Sequence, residues 1–257
     1  MNIAIVTGAS AGLGRAFVPA ILDTCADVEE IWLIARRRTR LEELAAVHAS
    51  AGIRFRIIEA DLTDPADLDA IASQLDQEKP QVRLLINDAG MEIHGPFASQ
   101  DRAAQMRMVD LNARAPMALM SMTLPFMDRG GRIINVCSVC SFMPNPDILA
   151  YSATKSFLYF LSRGLREELR GTGINVLALC PGNMSTEMNG ASAAHATSND
   201  SGLVARLPFL DLSRVAHETL RRAAAGRGVY TPGAVYRGYQ VLAKIVPHNI
   251  AMRFARV

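Results

Sequence analysis

The chain has 257 residues, half of them hydrophobic and a fifth charged, with a formal net charge of +2. This is the make-up of a globular protein with enough apolar residues for one α/β domain or two small ones, and the charge is too small to indicate a nucleic-acid binder. No run of 18 or more apolar residues exists, and the opening NIAIV is too short for a signal peptide, so a cytoplasmic protein is expected and membrane contact is not.

In chain order, short apolar runs alternate with helical patterns. NIAIVT (2–7) leads into TGASAGLG, where a helix begins; IWLIA (31–35) precedes the helical TRLEELAAVHAS; RFRIIEA (54–60) precedes PADLDAIASQL. RLLIN (83–87), RIINVC (132–137) and INVLALC (174–180) follow, with a helix around YSATK marked by Leu149, Phe157, Leu158, Phe160, Leu161 and Leu165. Near-continuous apolar strands are buried on both faces, which predicts an α/β fold: a doubly wound parallel sheet, Rossmann-like, with helices on both faces. From Ser185 to Asp200 the chain is small and polar, a long loop expected to be mobile and to order over ligand as a lid across about 185–205. A helix (LSRVAHETLRRAAAG), a short strand (GVYT) and a basic, aliphatic tail complete one domain over 1–257, with 1–182 as cofactor-binding and catalytic core and 183–257 as substrate loop and tail.

Gly8, Gly12 and Gly14 follow the first strand where a helix starts. Glycine lets the backbone turn tightly and approach a ligand, while the helix N-terminus offers unpaired N–H groups to phosphates. The spacing is a variant of the dinucleotide fingerprint. An acid at the end of the second strand would bind the ribose hydroxyls of NAD(H) and repel a phosphate; here Ala35 is followed by Arg36, Arg37 and Arg38. NADP(H) is therefore expected in preference to NAD(H), with Arg36 as first phosphate ligand, Arg37 as the alternate, Ser10 adding a hydroxyl and Arg15 within reach. The basic run lacks interleaved aromatics, so a nucleic-acid role is not expected.

Only three lysines accompany 24 arginines, and Lys155 follows Tyr151 by one helical turn, so phenol and ammonium can meet. Among the four cysteines, Cys137 and Cys140 form a C-x-x-C, but no thioredoxin-like context or second ligand pair accompanies it. Reduced thiols and no metal site are expected; a redox role would require both thiols exposed with depressed pKa values.

TGASAGLG, INDAG, the Asn of DLNA, the Ser of NVCS, YSATK and the later PG, in order over residues 2 to about 185, together resemble the short-chain dehydrogenase/reductase family. The thirteen positions from Ser138 to Tyr151 match that family's serine-to-tyrosine distance. Composition alone leaves Ser141 and Ser152 open as alternatives to Ser138. The resemblance implies Tyr151 as general acid/base, Lys155 as its electrostatic partner and ribose ligand, Ser138 as donor to the substrate oxygen, and Asn112 holding a water in the proton path. A close ammonium is expected to favour the phenolate, because a free phenol is a poor base near neutrality. The resemblance further implies cofactor contacts from Gly8, Ser10, Gly12, Leu13, Gly14, Arg36, Asp61, Leu62, Asn87, Ala89, Gly90, Tyr151, Lys155, Pro181 and Gly182. Asp61 reads equally as a helix-start acid, and Asn112 as a residue satisfying backbone groups. The chain departs from the family at Asp88, where asparagine is common.

The function this implies is the NADP(H)-dependent interconversion of a carbonyl and an alcohol, by a homodimer or homotetramer. The rival is a non-catalytic NADP(H)-binding regulator on the same fold, which loss of a tetrad member would favour; all four are present. Met184, Met188, Leu203, Leu207, Pro208 and Phe209 point to an apolar small-molecule substrate, although core packing explains them equally.

Overall fold

The computed structural model describes residues 1–185 and 209–247. Seven parallel strands form one sheet: β1 (Asn2–Thr7), β2 (Glu30–Ala35), β3 (Arg54–Glu59), β4 (Gln81–Asn87), β5 (Arg132–Val136), β6 (Asn175–Leu179) and β7 (Val229–Tyr230), in the order β3-β2-β1-β4-β5-β6-β7. Among the described residues, eight α-helices connect or follow them: α1 (Gly12–Thr24), α2 (Arg38–Val47), α3 (Pro65–Glu78), α4 (Arg102–Val109), α5 (Ala115–Thr123), α6 (Leu149–Glu168), α7 (Leu212–Ala224) and α8 (Ala234–Ile245).

Alternate residues of the strands feed two apolar layers. Ala4, Val6, Leu33 and Leu84 meet Phe17 and Ile21 of α1, Leu41 of α2 and Leu220 of α7. Ile3, Ile5, Ile34 and Leu85 meet Ile71 of α3, Leu119 of α5 and Leu158 of α6. Burial on both faces is why these strands read as unbroken apolar runs. Glu30, the exception within β2, is buried but accepts from Trp32 Nε1 at 2.8 Å and pairs with Arg56, also at 2.8 Å.

The winding reverses between β3 and β4, so the ends of β1 and β4 diverge into different connections at the switch point where such sheets bind ligands. Thr7 bridges the two ends: its Oγ1 accepts from the N–H groups of Asp88 (3.0 Å) and Ala89 (3.1 Å). Between α4 and α5 the helix widens into one π turn, Asp110–Arg114, a local distortion that often marks a working residue; Asn112 sits at its centre. The expected loop from Ser185 to Asp200, and with it the lid, lies outside the described residues apart from Ser185, as do Met188, Leu203, Leu207 and Pro208. Its flanks are joined, since Leu210 N–H donates to the Asn183 carbonyl at 2.9 Å.

Candidate active site

The glycine turn owes its shape to close packing. Gly8 and Gly12 have φ of 70° and 55°. A Cβ on Gly14 would lie 2.5 Å from the Gly8 carbonyl oxygen, and one on Gly8 would lie 2.9 Å from Ala89 N, so a side chain at either position would push β1, α1 and β4 apart. Helix α1 starts without a side-chain cap and without an acid in its first turn. Asp88, just after β4, puts a carboxylate against this turn: a Cβ on Gly14 would lie 2.7 Å from its Oδ2, and burial pushes its pKa up to about 7 against the pull of Lys155 and of Gly14 N–H.

At the end of β2, Arg37 Nη2 donates to Ser10 Oγ at 3.1 Å, although Arg36 and Arg37 are both exposed. The alternate arginine, rather than the first choice, thus meets the glycine loop. Asp61 accepts from Thr63 N–H (3.0 Å) and Arg107 (3.2 Å). Burial raises its pKa, but these bonds outweigh that and leave it lowered. The cap of α3 is Asp64, so Asp61 is not that helix-start acid. Leu62 is buried, and Asn87 links β4 to β5 through Asn135 Oδ1 at 2.8 Å.

Tyr151 and Lys155 lie on the first turns of α6, both buried, with Nζ 5.7 Å from the centre of the phenol ring. Lys155 Nζ donates to the Val136 carbonyl at 2.7 Å, which ties α6 to the end of β5. Ser138 caps the short turn after β5, where its Oγ accepts from Cys140 N–H at 3.2 Å, and its side chain lies near enough to Tyr151 to lower the phenol's pKa. Ser141 donates to the Lys155 carbonyl and Ser152 Oγ is buried without a partner, whereas the Ser138 side chain acts on the phenol.

Asn112 Oδ1 accepts from Met91 N–H at 2.9 Å, and its Nδ2 donates to the Met91 carbonyl (2.8 Å) and Thr154 Oγ1 (3.2 Å). It therefore does satisfy backbone groups. It also borders the lysine: a Cβ on Gly90 would stand 3.2 Å from Asn112 Oδ1 and 3.5 Å from Lys155 Nζ, so the glycine keeps the gap between them clear. Pro181 accepts from Val139 N–H at 3.0 Å, and Gly182 lies under the Tyr236 ring of α8.

The surroundings of Tyr151 do not depress its pKa. Burial raises it well above the ordinary phenol value and the charge of Glu92 raises it further, while the Ser138 hydrogen bond pulls the other way. Burial likewise lowers Lys155. The phenol is held as an acid. The thiols are also unsuited to redox work, since burial raises Cys140 to about 11 and Cys180 well above its usual value. All four cysteines are unpaired.

A protein-family model described as short chain dehydrogenase matches residues 2–197. The chain belongs to the short-chain dehydrogenase family. Among its solved members, a short-chain dehydrogenase from Sphingobium yanoikuyae in complex with NADPH is 30% identical, with a TM-score of 0.77, covering 96% of this chain and 97% of that one. The bulky-bulky ketone specific alcohol dehydrogenase of Comamonas testosteroni is 27% identical with a TM-score of 0.74, covering 96% and 95%. A curated member, the ketoacyl reductase HetN of Nostoc, is 33% identical over 70% of this chain and 63% of its own length.

No motif in the sequence marks Thr7 or Glu92 for the site. Thr7 carried a signal in its place between β1 and the glycines, whereas Tyr236 and Glu92 reach their positions only through tertiary packing. Among the described residues no helix is long and apolar enough to cross a membrane, and no three His, Cys, Asp or Glu side chains gather as a metal site.

Proposed function

We propose that this short-chain dehydrogenase is an NADP(H)-dependent carbonyl reductase with Tyr151 as its general acid. The observation that carries the reading is the buried cluster of Ser138, Tyr151, Lys155 and Asn112, with Lys155 Nζ 5.7 Å from the centre of the phenol ring. A bound nicotinamide cofactor would supply the hydride for the carbonyl carbon. Ser138 positions the carbonyl oxygen and Tyr151 gives it a proton. The buried ammonium of Lys155 stabilises the phenolate left behind, an interaction strengthened by exclusion of water. In the reverse direction the same phenolate would accept the alcohol proton. Asn112 holds the Met91 segment and, with Lys155, borders the space through which a water would return the proton to Tyr151.

The residues present fit the cofactor. The α1 terminus has no side-chain cap of its own, and the acid beside it, Asp88, has a pKa raised to about 7, so it can receive a pyrophosphate; Arg37 with Ser10 forms a seat for a phosphate monoester, with Arg36 beside it. Gly8, Gly12, Leu13 and Gly14 would shape the first of these contacts, and Asp61, Leu62, Asn87, Ala89, Gly90, Pro181 and Gly182 would line the rest. The NADPH bound by the Sphingobium member supports this assignment.

The ketone named for the Comamonas enzyme supports a small carbonyl substrate. Helices α4, α5 and α6 leave Met106, Val109, Met117, Phe157 and Phe160 exposed, and we assign this face to a homodimer contact. The unpaired thiols support a reducing, cytoplasmic setting. Screening a panel of ketones and aldehydes for oxidation of NADPH tests the reading. Binding of NADPH with no turnover of any carbonyl would favour the non-catalytic regulator.

A further inference from the structure

Asp88 stands where the ends of β1 and β4 meet the start of α1. Its N–H donates to Thr7 Oγ1 at 3.0 Å, which fixes its backbone between the two strand ends. Its carboxylate reaches across to the glycine turn: Oδ2 would lie 2.7 Å from a Cβ on Gly14 and 3.1 Å from one on Gly8, so the oxygen occupies space that the two missing side chains leave free. Gly14 belongs to the first turn of α1, whose N–H groups have no side-chain cap. A carboxylate here and a pyrophosphate seated on α1 draw on the same donors and the same end of the helix dipole.

Little else compensates the charge. Residues 2–14, forming β1 and the glycine turn, contain no titratable side chain; Asn135 and Val136 at the end of β5 and Asn112 of the π turn are uncharged, and Arg15 of α1 is exposed. The cation that acts on the carboxylate is Lys155, whose Nζ is already engaged by the Val136 carbonyl at 2.7 Å. One ammonium does not neutralise a carboxylate and a pyrophosphate together, and partly buried like charges repel with little screening. A proton on Asp88 removes the repulsion and turns one carboxyl oxygen into a donor. We propose that Asp88 links cofactor binding to protonation: its carboxyl takes up a proton from solvent as the pyrophosphate of NADP(H) seats against α1. Since the bound state holds the extra proton, affinity falls as pH rises. Burial brings the carboxyl of the free protein to a pKa of about 7, so the exchange falls near neutrality. The inference rests on the seating of the cofactor at the glycine turn and adds to it a proton that asparagine at this position would not require.

The test measures NADPH dissociation constants by fluorescence titration from about pH 6.5 to about pH 8.5, at one ionic strength, for the wild type and Asp88→Asn, which keeps the shape of the protonated carboxyl. Wild-type affinity should fall at least about fivefold over that range, whereas Asp88→Asn should keep the low-pH affinity to within a factor of about two. Titration calorimetry at about pH 7.5 in HEPES and in Tris, which differ in ionisation enthalpy, counts the protons: the wild type should take up about half a proton more than Asp88→Asn. Repeating both measurements with NADH, which has no 2′-phosphate, removes the titration of that group from the comparison. A wild-type affinity independent of pH, an equal slope in wild type and Asp88→Asn, or no proton uptake by the wild type with NADH overturns the proposal. Should Asp88→Asn not fold, Asp88→Ser takes its place in both measurements. NADPH binding with the expected slope but no turnover of any carbonyl would refute the reductase reading and uphold this inference, while absence of nucleotide binding at every pH would refute both.

Discussion

Lys155 Nζ donates to the Val136 carbonyl at 2.7 Å while standing 5.7 Å from the centre of the Tyr151 ring. The ammonium is thereby fixed by the end of β5 and offered to the phenol from below. A compact, rotatable donor can do both within a closed space, whereas a planar guanidinium is larger and spreads its charge. This accounts for a lysine here in a chain that otherwise uses arginine.

Replacing Tyr151 with Phe should cut turnover at least about 100-fold and leave NADPH binding within a small factor, since only the proton donor is lost. Lys155→Ala should damage both, and Lys155→Arg should not restore turnover. Steady-state rates together with a fluorescence titration of NADPH check each variant; equal turnover in wild type and Tyr151→Phe would end the general-acid assignment.

The Arg37–Ser10 contact leads to an expectation about cofactor choice. NADP(H) should bind at least about tenfold more tightly than NAD(H), a difference of about 1.4 kcal/mol. Arg37→Ala should remove most of that preference by deleting the guanidinium seated on the loop, and Arg36→Ala should remove a smaller part. Dissociation constants for both cofactors at one ionic strength measure this, because phosphate contacts weaken with salt.

Asp88 provides a pH test. Its folded pKa of about 7 lies above the ordinary value of 3.8, so the unfolded chain releases this proton first. The group therefore favours the folded state at low pH, and that contribution is lost as pH rises from about 4 to about 7. Asp88→Asn should leave stability nearly unchanged at pH 4 and raise it by about 2 kcal/mol at pH 8, allowing for the partial solvent access of the carboxylate. Thermal melts at the two pH values read this as a Tm gain of about 5 °C confined to the higher one. An equal shift at both would show the carboxyl to be ionised throughout.

Gly182 and Tyr236 make a structural prediction independent of catalysis. A Cβ on Gly182 would fall 2.0 Å from Tyr236 Cε1, and the Tyr236 hydroxyl accepts from Asn183 N–H at 3.0 Å. Gly182→Ala should lower stability by about 1–3 kcal/mol through overpacking, and Tyr236→Phe by about 1 kcal/mol through the unsatisfied N–H. Adding Tyr236→Ala to Gly182→Ala should recover part of the overpacking loss, measured in a double-mutant cycle of melts.

Much of this protein is local chemistry and was therefore readable along the chain. The apolar strands identified a sheet buried on both faces because each residue of a central strand has a helix above or below it, and Gly8, Gly12 and Gly14 marked the turn because little else tolerates such approach. Tyr151 and Lys155 were joined by helical geometry alone. Tertiary structure decided what depends on distance across elements. It placed Arg37 rather than Arg36 on Ser10, since the turn after β2 directs side chains in a way no spacing reveals. It brought Tyr236 of α8 onto Gly182. Above all it set the surroundings of the phenol: the sequence shows the lysine four residues away, but burial and the charge of Glu92, which reach Tyr151 only in the folded chain, raise its pKa. Ionisation depends on everything surrounding a group in space, and sequence neighbours are only a small part of that.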